Sequence, residues 1–569
     1  MTPRTIDWQH WLLLALLAVA VLAVGIGLRD PWPADEPRFS LIAREMVVTG
    51  EFWVPRRGGE LYADKPPIFI WLTAAALVIT GSVRSSFLFP SLLAGLGTLL
   101  LVVDVVRRLH GPRQAWLSGF ALLFTVLFTL QAKTAQIDMV LTFLTTLAIY
   151  GMLRHALLGP TRTWWLIAWA AVGLGILTKG VGFLPLLMLP AWLWLARRGR
   201  ATPLCARQFG EGLLVLLIVL ASWGLPMIVM TSTSGAADLA AYRDDILFRQ
   251  TGTRYVAAWH HLSPWYFYVA EVLPWAWLPL VLALPWAIPA WSRRFIRLDS
   301  RTILPISTVV LIVIFFSLSP GKRGVYMLPT IPLLVIGLAP LLPGLIRRPG
   351  VQRAATATLA LLGAAMLVPG VMGLLGLPAA IRLEQRYHVA PWPWLTLLGL
   401  TAAFLLFRLR VGRGIPALLI WLGLFWVAYS TLGYVQLDKV RSPRELMANV
   451  ASITGPGAWL GMPDFDEEFL LQARQPAVHF GRATDPSAQF LRAFQWLKDE
   501  PGTRWMLIEQ RRRDDLACAR LDAARDLGYQ NRDEWWLIPG TAFVSCQGSA
   551  IAAPIFTAPT TMTSALGTR

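Results

Sequence analysis

Residues 11–46 read WLLLALLAVAVLAVGIGLRDPWPADEPRFSLIAREM. Trp11 to Leu28 carry no charge and are apolar on every helical face, close to the roughly 20 residues a helix needs to cross a hydrocarbon core of about 30 Å. Immediately after them come Arg29, Asp30, Asp35, Glu36, Arg38, Arg44 and Glu45. A span that opens directly onto acids and bases poses two questions: how often the chain crosses, and on which side its charges gather.

Outward from this stretch, apolar segments of span length recur along the first three quarters of the chain, Gly212 to Met230 being one. Over 569 residues, 56% are hydrophobic and 15% charged, and the mean hydropathy is +0.54, a balance that excludes a soluble protein. Apolarity on every face calls for helices, because a barrel would alternate in polarity over short segments. The net charge of +18 would suggest nucleic acid in a soluble chain. Here the arginines sit in short loops between spans, as the positive-inside rule requires, so no nucleic-acid partner is implied. No small-residue cleavage site precedes Arg29, so the first span reads as retained.

Ile68 to Thr80 is too short for a span and reads as a re-entrant or interfacial helix. With it kept from crossing, the cytoplasmic loops collect Arg107, Arg108 and Arg113, then Arg154 and Arg162, then Arg197, Arg198, Arg200 and Arg207, and later Arg293, Arg294, Arg297 and Arg301. Arg347, Arg348, Arg353, Arg408, Arg410 and Arg413 follow the same rule. The expectation is an α-helical integral membrane protein of about 13 crossings, N-terminus in the cytoplasm. Residues 1–435 form the membrane domain, with a first outer loop over 29–87 and a second over 231–265. Residues 436–548 read as a small outer α/β domain, with strands near Ala458–Gly461, Trp505–Ile508 and Trp535–Ile538 and helices over Pro486–Asp499 and Asp514–Leu527. Residues 549–569, rich in Ala, Thr and Pro, read as a disordered tail. Cys518 and Cys546 can pair if that region is extracytoplasmic, and Cys205, in an arginine-rich loop, stays reduced. Tryptophans near helix ends, such as Trp164, Trp165, Trp392 and Trp394, read as interfacial belts.

The charges that loop arginines do not explain fall on the outer side. Pro37 suits a first helical turn, which makes Arg38 to Val48 an amphipathic segment at the interface. Pro66 and Pro67 would start the short helix and hold Lys65 at its mouth. Other outer turns supply Lys133 and Asp138, Lys179, and Lys322, Arg323 and Tyr326, while the long loop adds Arg254, Tyr255, His260 and His261. Bases outnumber acids near the helix mouths, which suits the phosphate of a lipid.

These residues resemble the aminoarabinose transferase family, membrane glycosyltransferases of the C-type fold related to protein O-mannosyltransferases. The likeness lies in Asp35-Glu36-Pro-Arg38-Phe, Ala43-Arg44-Glu45-Met, Gly59-Glu60-Leu-Tyr62 and Asp64-Lys65-Pro-Pro. It continues in Asp138-Met, Leu177-Thr178-Lys179-Gly180, Arg254-Tyr255 with His260-His261-Leu-Ser-Pro-Trp-Tyr, and Lys322 with Tyr326-Met-Leu-Pro. It covers about residues 10–435 and departs at Asp64, where the pattern commonly has glutamate.

The resemblance implies transfer of 4-amino-4-deoxy-L-arabinose from undecaprenyl phosphate to a lipid A phosphate at the periplasmic face of a bacterial inner membrane, and hence polymyxin and cationic-peptide resistance. It implies Asp35 and Asp138 as catalytic residues. Glu36, Arg38, Tyr62, Lys65, Lys179, Arg254, Tyr255, His260, His261, Lys322 and Tyr326 become substrate ligands. No cofactor is required, and a divalent metal could sit between Asp64 and His261. Asp35 would act as general base toward a hydroxyl; toward an anionic phosphate it would instead hold the sugar's amino group or orient the acceptor. Lys65, Arg254 and Tyr326 would stabilise the leaving phosphate. A transferase with another lipid-linked sugar and a protein or glycan acceptor is equally compatible with composition. A lipid-linked substrate transporter would place charged or broken-helix sites near the midplane and show an internal repeat; a nonenzymatic scaffold would leave the outer charges without a task.

Overall fold

The computed structural model describes residues 7–247, 262–455, 457–482, 484–531, 533–548 and 556–558. Among them seven helices are long and apolar enough to cross a membrane, and two bent pairs, 112–132 (bent 69°) and 268–296 (bent 105°), bring the count to nine. Shorter apolar helices cover Trp8–Leu22 (α1), Leu184–Ala196 and Gly324–Leu338. Both quoted spans, Trp11–Leu28 and Gly212–Met230, carry helix, although α1 stops at Leu22 rather than Leu28. The reason is Gly25, with φ +94°, packed so closely on Ser430 that a Cβ there would lie 2.2 Å from its carbonyl oxygen. The chain leaves the helix there and delivers Arg29 to one end of the bundle.

Two loop helices follow. Pro37 occupies the first turn of α2 (Glu36–Thr49), which ends at Gly50 in the left-handed region. A two-stranded hairpin, β1 (Arg56–Arg57) with β2 (Glu60–Leu61), leads to α3 (Ile68–Thr80). At about 1.5 Å per residue, α3 falls short of the hydrocarbon thickness. The expectation that α2 lies amphipathically at the lipid interface is corrected: from Glu36 to Met46 nearly all its residues are buried. It is sandwiched between α3 and the C-terminal domain, where Arg44 donates to the Leu470 and Leu471 carbonyls at 2.9 Å each. Those carbonyls end the helix Glu467–Gln472 and need partners.

The C-terminal region forms a six-stranded mixed sheet in the order β6-β7-β5-β3-β4-β8. Here β3 is Trp459–Gly461, β4 Ala477–His479, β5 Arg504–Glu509, β6 Arg525–Gln530, β7 Asp533–Pro539 and β8 Phe556–Ala558. Strand β3 runs parallel to β4 and β5; the other pairings are antiparallel. Alternation splits its core: Leu507 and Leu537 face the cluster that includes Leu41 of α2, while Met506, Ile508 and Ile538 face the helix Pro486–Asp499.

Three expectations change here. Asp514–Leu527 is not a helix but two 3-10 turns followed by β6, because Cys518 is bonded to Cys546, the Arg520 amide bonds the Ala542 carbonyl, and β7 offers an edge to pair with. Within 549–569, Phe556–Ala558 adds a strand to β4. Trp165 is no interfacial anchor: it is fully buried and meets Trp169 and Trp192 edge-on at 5.7 Å each.

Candidate functional site

Two helix starts bring acids to one end of the bundle. Asp35 precedes the first turn of α2, and Asp138 lies in the first turn of Ile137–Leu157, where helix dipoles favour negative charge. The Asp35 carboxylate accepts from Arg323 at 3.2 Å, and from Arg38 and Gln136 at 3.5 Å each. Asp138 accepts from Lys179 Nζ at 2.7 Å, and the same ammonium lies 4.4 Å from the centroid of the Tyr326 ring. Lys179 owes its place to a tight turn in which Gly175 and Gly182 touch backbone to backbone; a Cβ on Gly182 would meet the Gly175 carbonyl carbon at 2.0 Å.

Arg323 couples the two acids. Burial disfavours its charge, yet the fields of Asp35 and Asp138, with the Asp35 hydrogen bond, hold its pKa above the ordinary arginine value. Its turn is pinned in place: Lys322 Nζ donates to the Ser263 carbonyl at 2.9 Å and the Ser319 carbonyl at 2.5 Å, and Leu262 bridges to Gly321. The segment Leu262–Ser263 is thereby stitched to the turn that carries Arg323 and Tyr326.

The structure gathers Asp35, Arg38, Asp138, Lys179 and Tyr326 from the expected set, with Arg38 also paired at 2.9 Å to Glu467 of the C-terminal domain. Glu36 departs from its expected role as a substrate ligand. It accepts from both terminal nitrogens of Arg29 at 2.5 and 2.8 Å and from the Trp32 and Ala135 amides at 2.8 and 2.9 Å. Four acceptor positions is about what a carboxylate has, so Glu36 is saturated. Lys322 likewise spends its ammonium on the Ser263 and Ser319 carbonyls. Tyr62 is buried with Arg57 over its ring at 5.5 Å, and burial pushes its hydroxyl pKa up. Lys65 stands just before α3 with its ammonium on the Asp64 carbonyl at 2.9 Å. Arg254, Tyr255, His260 and His261 lie outside the described residues. Among the described residues no group of three or more His, Cys, Asp or Glu could hold a metal, Asp64 included.

Gln136 is a partner of Asp35 that the sequence did not single out, and Arg323 is one that it noted as a loop charge but did not count among the ligands. Arg323 stands beside Lys322 between two glycines, and nothing in that string tells which of the two basic residues turns inward. The order is settled only by the Ser263 and Ser319 carbonyls that capture Lys322.

A family described as dolichyl-phosphate-mannose-protein mannosyltransferase matches residues 64–224. An undecaprenyl phosphate-alpha-4-amino-4-deoxy-L-arabinose arabinosyl transferase of Pseudomonas fluorescens is 30% identical over 368 residues, 63% of this chain and 62% of that one. A transferase of the same description from an Enterobacter species is 26% identical over 359 residues, 58% of this chain and 59% of that one. The matches thus span about three fifths of these relatives' length. Among solved structures, ArnT from Cupriavidus metallidurans bound to undecaprenyl phosphate superposes with a TM-score of 0.75 at 20% identity, over 96% of this chain and 100% of that one. Its apo state gives 0.72 at 21%, over 95% and 99%. The fold is that of a multi-pass C-type membrane glycosyltransferase.

Proposed function

We propose, from its likeness to the aminoarabinose transferases, that the chain moves 4-amino-4-deoxy-L-arabinose from undecaprenyl phosphate to a phosphate of lipid A. The reaction takes place at the periplasmic face of a bacterial inner membrane, with the N-terminus in the cytoplasm and the C-terminal domain outside. The bonded pair Cys518–Cys546 suits that oxidising compartment, and the arginine-rich loops suit the opposite one.

The observation that carries this reading is the pair of acids, Asp35 and Asp138, held at helix starts by Arg323, Arg38 and Lys179 at one end of the bundle. Cleavage at an anomeric carbon builds positive charge on the sugar and negative charge on the departing phosphate. Asp35 faces the sugar and stabilises the first; an acceptor phosphate is already anionic and needs no base. Lys179 and Tyr326, which lie together, receive the second. The new bond joins an acceptor phosphate oxygen to the anomeric carbon, and the old carbon–oxygen bond leaves with its electrons on undecaprenyl phosphate.

Protein reconstituted with undecaprenyl-phosphate aminoarabinose and lipid A should yield lipid A heavier by one aminopentose, read by mass spectrometry, and cells lacking it should bind polymyxin more strongly. Transfer of a different lipid-linked sugar, or to a protein or glycan, with lipid A unchanged, would replace this substrate assignment by the mannosyltransferase-like one.

A further inference from the structure

A cavity of about 140 Å³ lies behind Asp35, walled by Trp32, Asp35, Lys133, Gln136, Tyr429 and Arg441 among others. An engineered protein cavity of about 150 Å³ accepts a six-membered ring, so this one has room for a sugar ring or a phosphate. Its walls are set before any ligand arrives. The Trp32 indole nitrogen donates to Asp438 at 2.9 Å, the Tyr434 hydroxyl to the Lys133 carbonyl at 3.2 Å, and Lys133 spends its ammonium on the Val24 carbonyl at 2.9 Å.

Two polar groups in the lining remain uncommitted. Arg441 makes no ion pair among the described residues and rests over Trp32 at 5.1 Å. The half-buried Tyr429 has no hydrogen-bond partner for its hydroxyl among the described residues. A carboxylate, an amide, aromatic faces and a spare guanidinium together are groups that recognise a phosphorylated sugar.

No residue of the Lys179–Asp138–Tyr326 cluster lines the cavity; Asp35, in the cavity wall, is tied to that cluster through Arg323, which donates to Asp35 at 3.2 Å and lies in the field of Asp138. Displacement at an anomeric carbon needs the nucleophile on the face opposite the leaving group, and an acid standing between two binding regions, with Arg323 as its link to the second, suits that arrangement. With the leaving phosphate on the Lys179 side, the cavity falls to the acceptor. We propose that this cavity is the acceptor subsite, holding the phosphorylated sugar headgroup of a glycolipid with Arg441 and Tyr429 on its phosphate. This rests on the transfer reading given above. The phosphate oxygen attacks the anomeric carbon from this side while the electron pair of the breaking bond departs with the polyprenyl phosphate, and no proton moves.

The test uses the full chain in mixed micelles with lipid A as probe. Arg441→Gln should raise the lipid A KM roughly tenfold, Tyr429→Phe should raise it less, and Arg441→Lys should restore part of the loss, with the donor KM unchanged. Retention of lipid A without donor, read by native mass spectrometry, should fall in parallel. Unaltered lipid A retention and KM in Arg441→Gln, or a shift in the donor KM alone, overturns the assignment. If the wild-type protein transfers nothing from an undecaprenyl-phosphate sugar, the transfer reading fails. Retention of lipid A that depends on Arg441 would still support the subsite.

Discussion

Asp35 and Glu36 are neighbours at the start of one helix, and they live in opposite physical regimes. Glu36 sits in a dry knot with Arg29, which is itself covered by the rings of Trp32, Phe87 and Tyr434 at 4.3, 4.9 and 4.8 Å. Its four hydrogen bonds all lie between 2.5 and 2.9 Å. Asp35 has three longer ones, from 3.2 to 3.5 Å, on a side chain that stays 17% exposed. The knot has no capacity left for a ligand. The looser acid can exchange partners when one arrives. The saturated pair fixes the helix start, and the unsaturated residue beside it is positioned for chemistry.

The largest expected effect separates the two directly. Asp35→Asn should lower transfer by about 10²–10³-fold with an unchanged melting temperature, and a loss of stability to match would place Asp35 in the knot's class. Glu36→Gln should do the reverse. Breaking a buried pair strands Arg29 at a cost of about 3–5 kcal/mol, so thermal unfolding in detergent should fall sharply. Arg29→Met with Glu36→Leu should recover most of that loss. Lys179→Met, which leaves Asp138 without its cation, should cost roughly tenfold to a hundredfold in kcat at little cost in stability; an effect confined to melting would show the pair to be structural.

A third polar contact, between hairpin and C-terminal domain, sharpens the contrast through pH. His479 Nε2 donates to the Gly58 carbonyl at 2.7 Å while Nδ1 accepts from the Gly481 amide at 3.3 Å, an arrangement that only the neutral ring satisfies. Burial, with Arg57 and Arg482 nearby, holds its pKa down to about 4. The unfolded chain therefore takes the proton first as pH falls below about 6.5, and stability is lost from there down through the folded value. By pH 5 the loss should reach about 2 kcal/mol. Melting curves at pH 7 and pH 5 should show it, and His479→Gln should flatten the difference; an unchanged slope in that variant would assign the acid sensitivity to another group.

The spans were legible because apolar runs carry their own evidence, and the helix Pro486–Asp499 because its apolar face repeats with helical period. What the sequence hid was nonlocal. Asp514–Leu527 looks helical until Cys546 and β7 compete for it. Glu36 looks like a ligand until Arg29 and the Ala135 amide saturate it. Arg323 cannot be told from Lys322 until the Ser263 carbonyl takes the lysine.

Common to every proposed assignment is one face, extracytoplasmic in this proposal, on which distant loops meet. Cys518 and Cys546 are bonded to each other and Cys205 is exposed, so the native chain offers a single reactive thiol as an internal control. In spheroplasts, Ala34→Cys and Gly321→Cys should both react with a membrane-impermeant maleimide, while Cys205 should react only after lysis. Labelling of Ala34→Cys and Gly321→Cys from opposite sides, or of Cys205 alone from outside, would contradict the account.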